Sequence, residues 1–294
     1  MTVKIITDST SEISQTEAQK ADVALVPIKT IFADREYREG IDLTADEFYQ
    51  KLEAAEELPT TSQPSPGDFE TAYRKALIAD DTAGDDELPE IVAVTISSKL
   101  SGTWQSACLA KEVIAAEDKG KAARIHIVDS ESATIGLNIL MQRALVLRDR
   151  GKSATEIAQA LEEAKTKLRL YAVVDTLEYL HKGGRLSSAA KTAGTLLKVK
   201  PIIMVEEGEI KIAGKSRGLA KAYDEIFNCV ERAGTIDFDQ PMALGYTADK
   251  TRLDQFIEAG PKYLKDQKPT AHGIGCAIGT HAGPGAVAFA FFVK

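Results

Sequence analysis

Over the first half of the chain, short apolar runs that end in hydroxyl or acidic residues alternate with stretches of helical periodicity. Residues 3–7 are apolar and stop at Asp8-Ser9-Thr10-Ser11, and residues 23–32 read as one or two strands interrupted at Pro27. Residues 91–96 stop at Ser97-Ser98-Lys99, and residues 124–128 stop at Asp129-Ser130. Between these runs apolar positions recur at helical spacing, as Phe48 and Leu52 do. Ser14 with Glu17, Thr44 with Glu47 and Ser153 with Glu156 hold the hydroxyl-x-x-Glu spacing that satisfies the free N–H groups of a first helical turn. Helices are expected after Ser14 and Thr44, near 69–78, and over 104–116, 134–149 and 154–168. The segment 58–68 carries Pro59, Pro64 and Pro66, so no regular element is expected there. Residues 79–90, acidic and turn-rich, read as a surface loop.

Strands alternating with helices imply a parallel or mostly parallel sheet with helices on its faces. In open sheets of this kind ligands bind beyond the carboxyl ends of the strands. That rule points to Asp8-Ser9, residues 97–103 and Asp129-Ser130. The second half is patterned differently. Residues 170–174 read as a strand and 188–197 as a short helix, while 201–205 and 209–212 flank Glu206-Glu207-Gly208 as a hairpin. Helices fit 219–232 and 249–264, and strands fit 242–246, 274–278 and 287–293. Hairpins mixed with helices imply an α+β unit with a mixed or antiparallel sheet. The expected fold is α/β in two domains, 1–165 and 166–294, and 294 residues suit that count at ~100–200 per domain.

Composition narrows the function classes. A formal net charge of −8 opposes a nucleic-acid partner, whose phosphates need a basic field, and a polybasic membrane anchor. Cys108, Cys229 and Cys276 are odd in number and far apart, which indicates neither a disulfide framework nor a zinc site. The first residues lack a signal-peptide pattern, and no apolar run nears the ~20 residues of a membrane span. A reducing, cytoplasmic setting is expected.

Several stretches could carry chemistry. Residues 60–66, TTSQPSP, offer hydroxyls at Thr60, Thr61, Ser62 and Ser65 on a segment stiffened by proline, though a solvated loop has the same composition. Residues 97–106, SSKLSGTWQS, stand between a strand and a helix, where hydroxyls and free N–H groups favour an anion; Ser101 or Thr103 equally suits a helix cap. In KGGRLS, Arg185 follows two glycines that permit a tight turn, and its guanidinium can grip an anion with two parallel bonds. In THAGPGA, residues 280–286, glycines permit close backbone approach and His281 can donate to a carboxylate. GIGCAIG, residues 273–279, reads as a strand packed closely on a neighbour. Gly214-Lys215-Ser216 follows Gly208 one residue too far away for a phosphate loop, although Arg217 adds a second basic group. A Ser-His-Asp triad could be drawn from Ser98, His281 and either Asp8 or Asp129, with nothing in the sequence to select among them.

Taken in order, these stretches resemble the DegV family across nearly the whole chain. The resemblance rests on KIITDST at 4–10, TTSQPSP at 60–66, SSKLSGTWQSA at 97–107 and VDS at 128–130. It continues through LEYLHKGGRLS at 177–187, KPII at 200–203, KSRG at 215–218 and THAGPGA at 280–286. Trp104 departs from the tyrosine frequent in that family. The resemblance implies two α/β domains holding a long-chain fatty acid between them, its acyl chain in an apolar tunnel. It implies a carboxylate site at Thr61, Ser62, Ser98 and His281, with Arg185 and Arg217 near a phosphoryl-transfer site or a kinase surface. It further implies a binding subunit without catalysis or cofactor of its own. Such a subunit presents the acid to a separate ATP-using kinase and passes the acyl phosphate toward an acyltransferase of phospholipid synthesis. A Ser98–His281 hydrolase or acyl-transfer enzyme, and a lipid-sensing regulator without a kinase, are the alternatives.

Overall fold

A computed structural model of the chain describes residues 2–33, 35–78, 88–186, 199–264 and 267–294. The first half contributes β1 (Val3–Asp8), β2 (Val23–Val26), β3 (Lys29–Phe32), β4 (Arg35–Arg38), β5 (Thr60–Ser62), β6 (Glu90–Thr95) and β7 (Ile125–Asp129). The second contributes β8 (Leu168–Val173), β9 (Lys200–Glu206), β10 (Glu209–Ser216), β11 (Ala243–Tyr246), β12 (Thr270–Gly273) and β13 (Val287–Phe292).

These strands make three sheets. A four-stranded sheet runs β2-β1-β6-β7 with every pair parallel. Its central strands β1 and β6 are buried on both faces, as continuous apolar runs in a helix-covered parallel sheet must be. A six-stranded sheet runs β10-β9-β8-β13-β11-β12 and is antiparallel except for β11 with β12. A small antiparallel sheet runs β4-β3-β5. The expected α/β class, with a parallel sheet first and a mixed sheet later, is what the chain adopts.

The last strand shows how the core divides. Along β13 the side chains of Val287, Phe289 and Phe291 pack on the helices Leu219–Ala233 and Thr251–Ala259. Burying each phenylalanine contributes ~1.5–3 kcal/mol. Ala288, Ala290 and Phe292 alternate onto the opposite face. That face shares one core with Val92 and Val94 of β6 through the helices Thr134–Asp149 and Ala154–Lys165. The two large sheets are thereby joined by continuous buried apolar contact. Among the described residues no helix is long and apolar enough to cross a membrane.

All three hydroxyl–glutamate pairs form reciprocal capping boxes, and Ser65 with Asp68 forms a fourth ahead of Pro66. Two expectations are corrected. The segment 58–68 does contain a regular element: β5 fits between Pro59 and Pro64, whose missing N–H groups fall outside the paired residues. The apolar run 23–32 is two strands broken at Pro27, as expected, β2 joining the parallel sheet and β3 the small one. Residues 274–278 do not form a strand; Cys276–Ala282 is a helix, preceded by β12. The close packing expected at its glycines is present nonetheless, since a Cβ at Gly279 would stand 2.6 Å from the Tyr49 hydroxyl. The helix expected over 188–197 and most of the acidic stretch at 79–90 lie outside the described residues.

Candidate functional site

A cavity of about 410 Å³ opens where the two halves of the chain meet, a size usual for a ligand pocket. Its origin can be followed from the strands. On the face of the six-stranded sheet opposite the packed phenylalanines, Ala172 of β8 stands directly across from Ala288 of β13. Alanine is depleted in strands because it leaves a pleated surface unfilled, and here it does so at paired positions. Both residues line the cavity, as does Ala286 just before β13. Ala172 is partly accessible although its strand lies inside the sheet.

The remaining walls come from both halves. The β9–β10 hairpin supplies Ile203, Met204, Val205 and Ile210. Glu207 (φ 52°) and Gly208 (φ 78°) take left-handed backbone at its two-residue loop, the requirement of a type I′ turn. The Gly208 carbonyl accepts a 2.8 Å bond from the Ser97 hydroxyl, tying the hairpin tip to the turn after β6. Ile96, Leu100 and Ser101 from that turn, and Thr10 after β1, add to the wall. The cavity thus lies beyond the carboxyl ends of the central strands, where open parallel sheets bind ligands.

Polar groups gather at one part of the lining. The Thr61 hydroxyl lies 3.0 Å from His281 Nε2. Thr61 belongs to β5 and His281 to the last turn of the helix Cys276–Ala282, so a three-residue strand and a seven-residue helix set this contact. Burial, reinforced by the charge of Arg185, pushes the His281 imidazole down to about 4, so the ring is neutral at pH 7. Its Nδ1 is buried without a hydrogen-bond partner among the described residues. A Cβ on Gly183 would stand 2.1 Å from that nitrogen, so the ring requires a glycine beneath it. Arg185 donates to the Leu100 carbonyl (Nε, 3.1 Å) and to the Gly183 carbonyl (Nη1, 2.6 Å) and also lines the cavity. Ser62, Gln63 and Ser101 add polar atoms to the lining. At neutral pH the lining therefore combines one guanidinium, a neutral imidazole and several hydroxyls with an otherwise apolar surface. That combination suits an amphipathic anion, since a buried charge needs paired, hydrogen-bonded surroundings.

Of the sequence-predicted residues, the structure gathers Thr61, Ser62, Arg185 and His281 on one cavity. It does not bring Ser98 there. Ser98 is exposed, and its backbone N–H donates to the Asp129 carboxylate at 3.2 Å. One turn further on, Ser101 faces the cavity instead. Arg217 is exposed beyond β10 and away from the lining. No Ser98–His281 triad is assembled, because Ser98 is exposed outside the cavity that His281 lines. Asp8 is fully buried and accepts from the backbone N–H groups of Thr10 and Ile96, which fastens β1 to β6.

Two supporting clusters carried no signal in the sequence. Asp175 accepts from Arg252 (3.0 Å) and Lys200 (2.6 Å), and Arg252 also donates to the Gly285 carbonyl, which pins the loop after His281. Burial alone would raise the Asp175 carboxyl, but the Arg252 and Lys200 hydrogen bonds outweigh it and hold it below the usual range. At the other end of the His281 helix, Glu12 accepts from the Gly275 N–H (2.8 Å) and Glu39 from the Ala277 N–H (2.9 Å). Burial raises both carboxyls, and the proximity of Glu39 raises Glu12 further.

Comparison with known proteins gives a consistent result. The sequence model of a family described as "Uncharacterised protein, DegV family" matches residues 2–294. A DegV domain-containing protein of Caldanaerobacter subterraneus is 33% identical over 293 residues, 99% of each chain. Among solved structures, a DegV family protein from Thermus thermophilus described for its fatty acid binding superposes with a TM-score of 0.85 at 30% identity, each chain covered in full. A stearic acid-binding protein from Eubacterium ventriosum reaches 0.85 at 27% identity, with 100% of this chain and 99% of that one covered. DegV of Bacillus subtilis, described as a fatty acid binding protein, reaches 0.82 at 30% identity over the full length of both.

Proposed function

The chain belongs to the DegV family, and from that premise and the cavity we propose that it binds one long-chain fatty acid. The acyl chain lies along the Ala172 and Ala288 floor, and the carboxylate meets Arg185, Thr61, Ser62, Ser101 and His281. The single observation that carries this reading is the cavity itself, apolar along the sheet and bearing the Arg185 guanidinium among hydroxyls. The family's solved members described as binding fatty acids support it. Each buried methylene contributes ~0.8 kcal/mol, so a long chain is held without catalytic chemistry. Ser98 leaves the carboxylate set and Ser101 takes its place.

In this reading residues 1–165 and 166–294 act as two domains closing on the lipid. The protein has no cofactor and acts in the cytoplasm. It presents the carboxylate to a separate ATP-using kinase, which forms the acyl phosphate, and an acyltransferase of phospholipid synthesis consumes it. Arg217, exposed outside the cavity, serves the kinase-facing surface. Arg217→Ala is expected to spare lipid binding and slow acyl phosphate formation by the partner kinase; unchanged turnover removes that assignment. The binding reading is tested by calorimetric titration with hexadecanoic acid and its methyl ester. A hydrogen bond to a charged group is worth ~1.5–3 kcal/mol, so the ester should bind at least tenfold more weakly. Equal affinity for acid and ester overturns the carboxylate site.

A further inference from the structure

We propose that the cross-strand pair Ala172 and Ala288 is the calibre of the cavity and sets the length of acyl chain that it admits. This inference rests on the fatty-acid reading above. Three alanines follow one another on the same face of β13 and its entrance: Ala286, Ala288 and Ala290. They do two different things. Ala290 stands across from Leu170 and belongs to the continuous core under the helix Thr134–Asp149, where a small side chain lets the helix approach. Ala286 and Ala288 face the cavity, where the same small side chain leaves room, and Ala288 also borders that core.

The floor therefore has an order along the strands. It starts at Val174 and Ala286, beside Leu180 and Ala282 near His281, and passes the Ala172–Ala288 pair. It stops at Leu170, which lines the cavity and is 5% exposed. At ~3.3 Å per residue, the stretch from Val174 to Leu170 is about 13 Å long. Cβ atoms of directly opposed residues lie ~4.5–5.5 Å apart. A branched side chain at either alanine therefore rises from the centre of the floor into the cavity, at Ala172 beside its cross-strand neighbour Ile203. A chain short enough to end before the pair is untouched by such a change, whereas a longer one must cross it.

The test is a titration of the unsubstituted protein, Ala288→Leu and Ala172→Leu with unbranched fatty acids of graded length. The two variants stand on different strands, so a folding defect in one leaves the other to decide, and thermal melts report on both. In the unsubstituted protein affinity should climb with chain length. In each folded variant it should level off at a shorter acid, with a loss of about tenfold or more for the longest acids and little change for the shortest. Curves that remain parallel, displaced equally at all lengths or not displaced, overturn the calibre while leaving the fatty-acid reading intact. Failure of the unsubstituted protein to bind any of the acids overturns the fatty-acid reading, and the calibre with it.

Discussion

Gly183 and Gly184 are neighbours in sequence, yet they should fail in opposite ways when a methyl group is added. Gly183 has ordinary helical backbone (φ −74°, ψ −7°), so alanine is conformationally acceptable there. Its added Cβ, however, would lie 2.1 Å from His281 Nδ1, and ordinary contact begins near 3.4 Å. The imidazole must retreat by the difference, roughly 1.3 Å, which breaks its 3.0 Å contact with Thr61. A hydrogen bond of this kind is worth ~0.5–1.5 kcal/mol, so fatty-acid affinity should fall about two- to twelvefold in Gly183→Ala. Gly184 has φ +69°. Alanine there costs ~1–2 kcal/mol of folding stability through left-handed strain, but it moves nothing at the site. The assay pairs calorimetric titration with hexadecanoic acid and a thermal melt for each variant. Gly183→Ala should lose affinity, and Gly184→Ala should lose stability at unchanged affinity. Full affinity in Gly183→Ala, or an equal affinity loss in both, would refute the reasoning.

Further outcomes follow from the same geometry. Thr61→Val should weaken binding several-fold, while Ser98→Ala, altered at an exposed position, should bind within a factor of about two of the unsubstituted protein in the same titration. The His281 imidazole is held near 4 in the fold against an ordinary 6.5, so the unfolded chain takes up its proton first as the pH falls. Its contribution is complete above pH 6.5 and is lost as the pH drops toward 4, by roughly 3 kcal/mol at 1.36 kcal/mol per unit. Chemical denaturation of His281→Gln should show a correspondingly shallower acid limb. The Glu39 carboxyl is raised, so its contribution is present at low pH and lost as the pH rises through the folded value. Glu39→Gln should therefore gain stability relative to the unsubstituted protein as the pH rises above the usual carboxylate range, and a constant difference across that rise would contradict it. Arg252→Ala should loosen the loop after His281, lowering both the melting temperature and the affinity, because it leaves Asp175 short of a partner and frees the Gly285 carbonyl.

What the sequence disclosed depended on how local the determinant was. The capping boxes at Ser14, Thr44 and Ser153 each need only four consecutive residues, and all three helices begin where they indicate. The hairpin at Glu207-Gly208 is equally local. The helix Cys276–Ala282 was misread because its first N–H groups are satisfied by Glu12 and Glu39, more than two hundred residues earlier. The small sheet was missed because β4, Arg-Glu-Tyr-Arg, carries no apolar alternation and pairs only with β3. At the site, Thr61, Ser62, Arg185 and His281 were legible as polar residues beside glycine or proline. Ser98 was not separable from Ser101, since which hydroxyl faces inward depends on the path of a single turn. Asp175 and Arg252 lie 77 positions apart in unremarkable stretches, and only the fold brings them together.

The most direct test of lipid binding is mass spectrometry of the purified protein, first under native and then under denaturing conditions. The expected result is a one-to-one mass excess equal to a long-chain fatty acid, retained in the native spectrum and released on denaturation. A protein that is free of lipid, and that gains no such mass after incubation with added fatty acid, would leave the fold standing and contradict the function proposed for it.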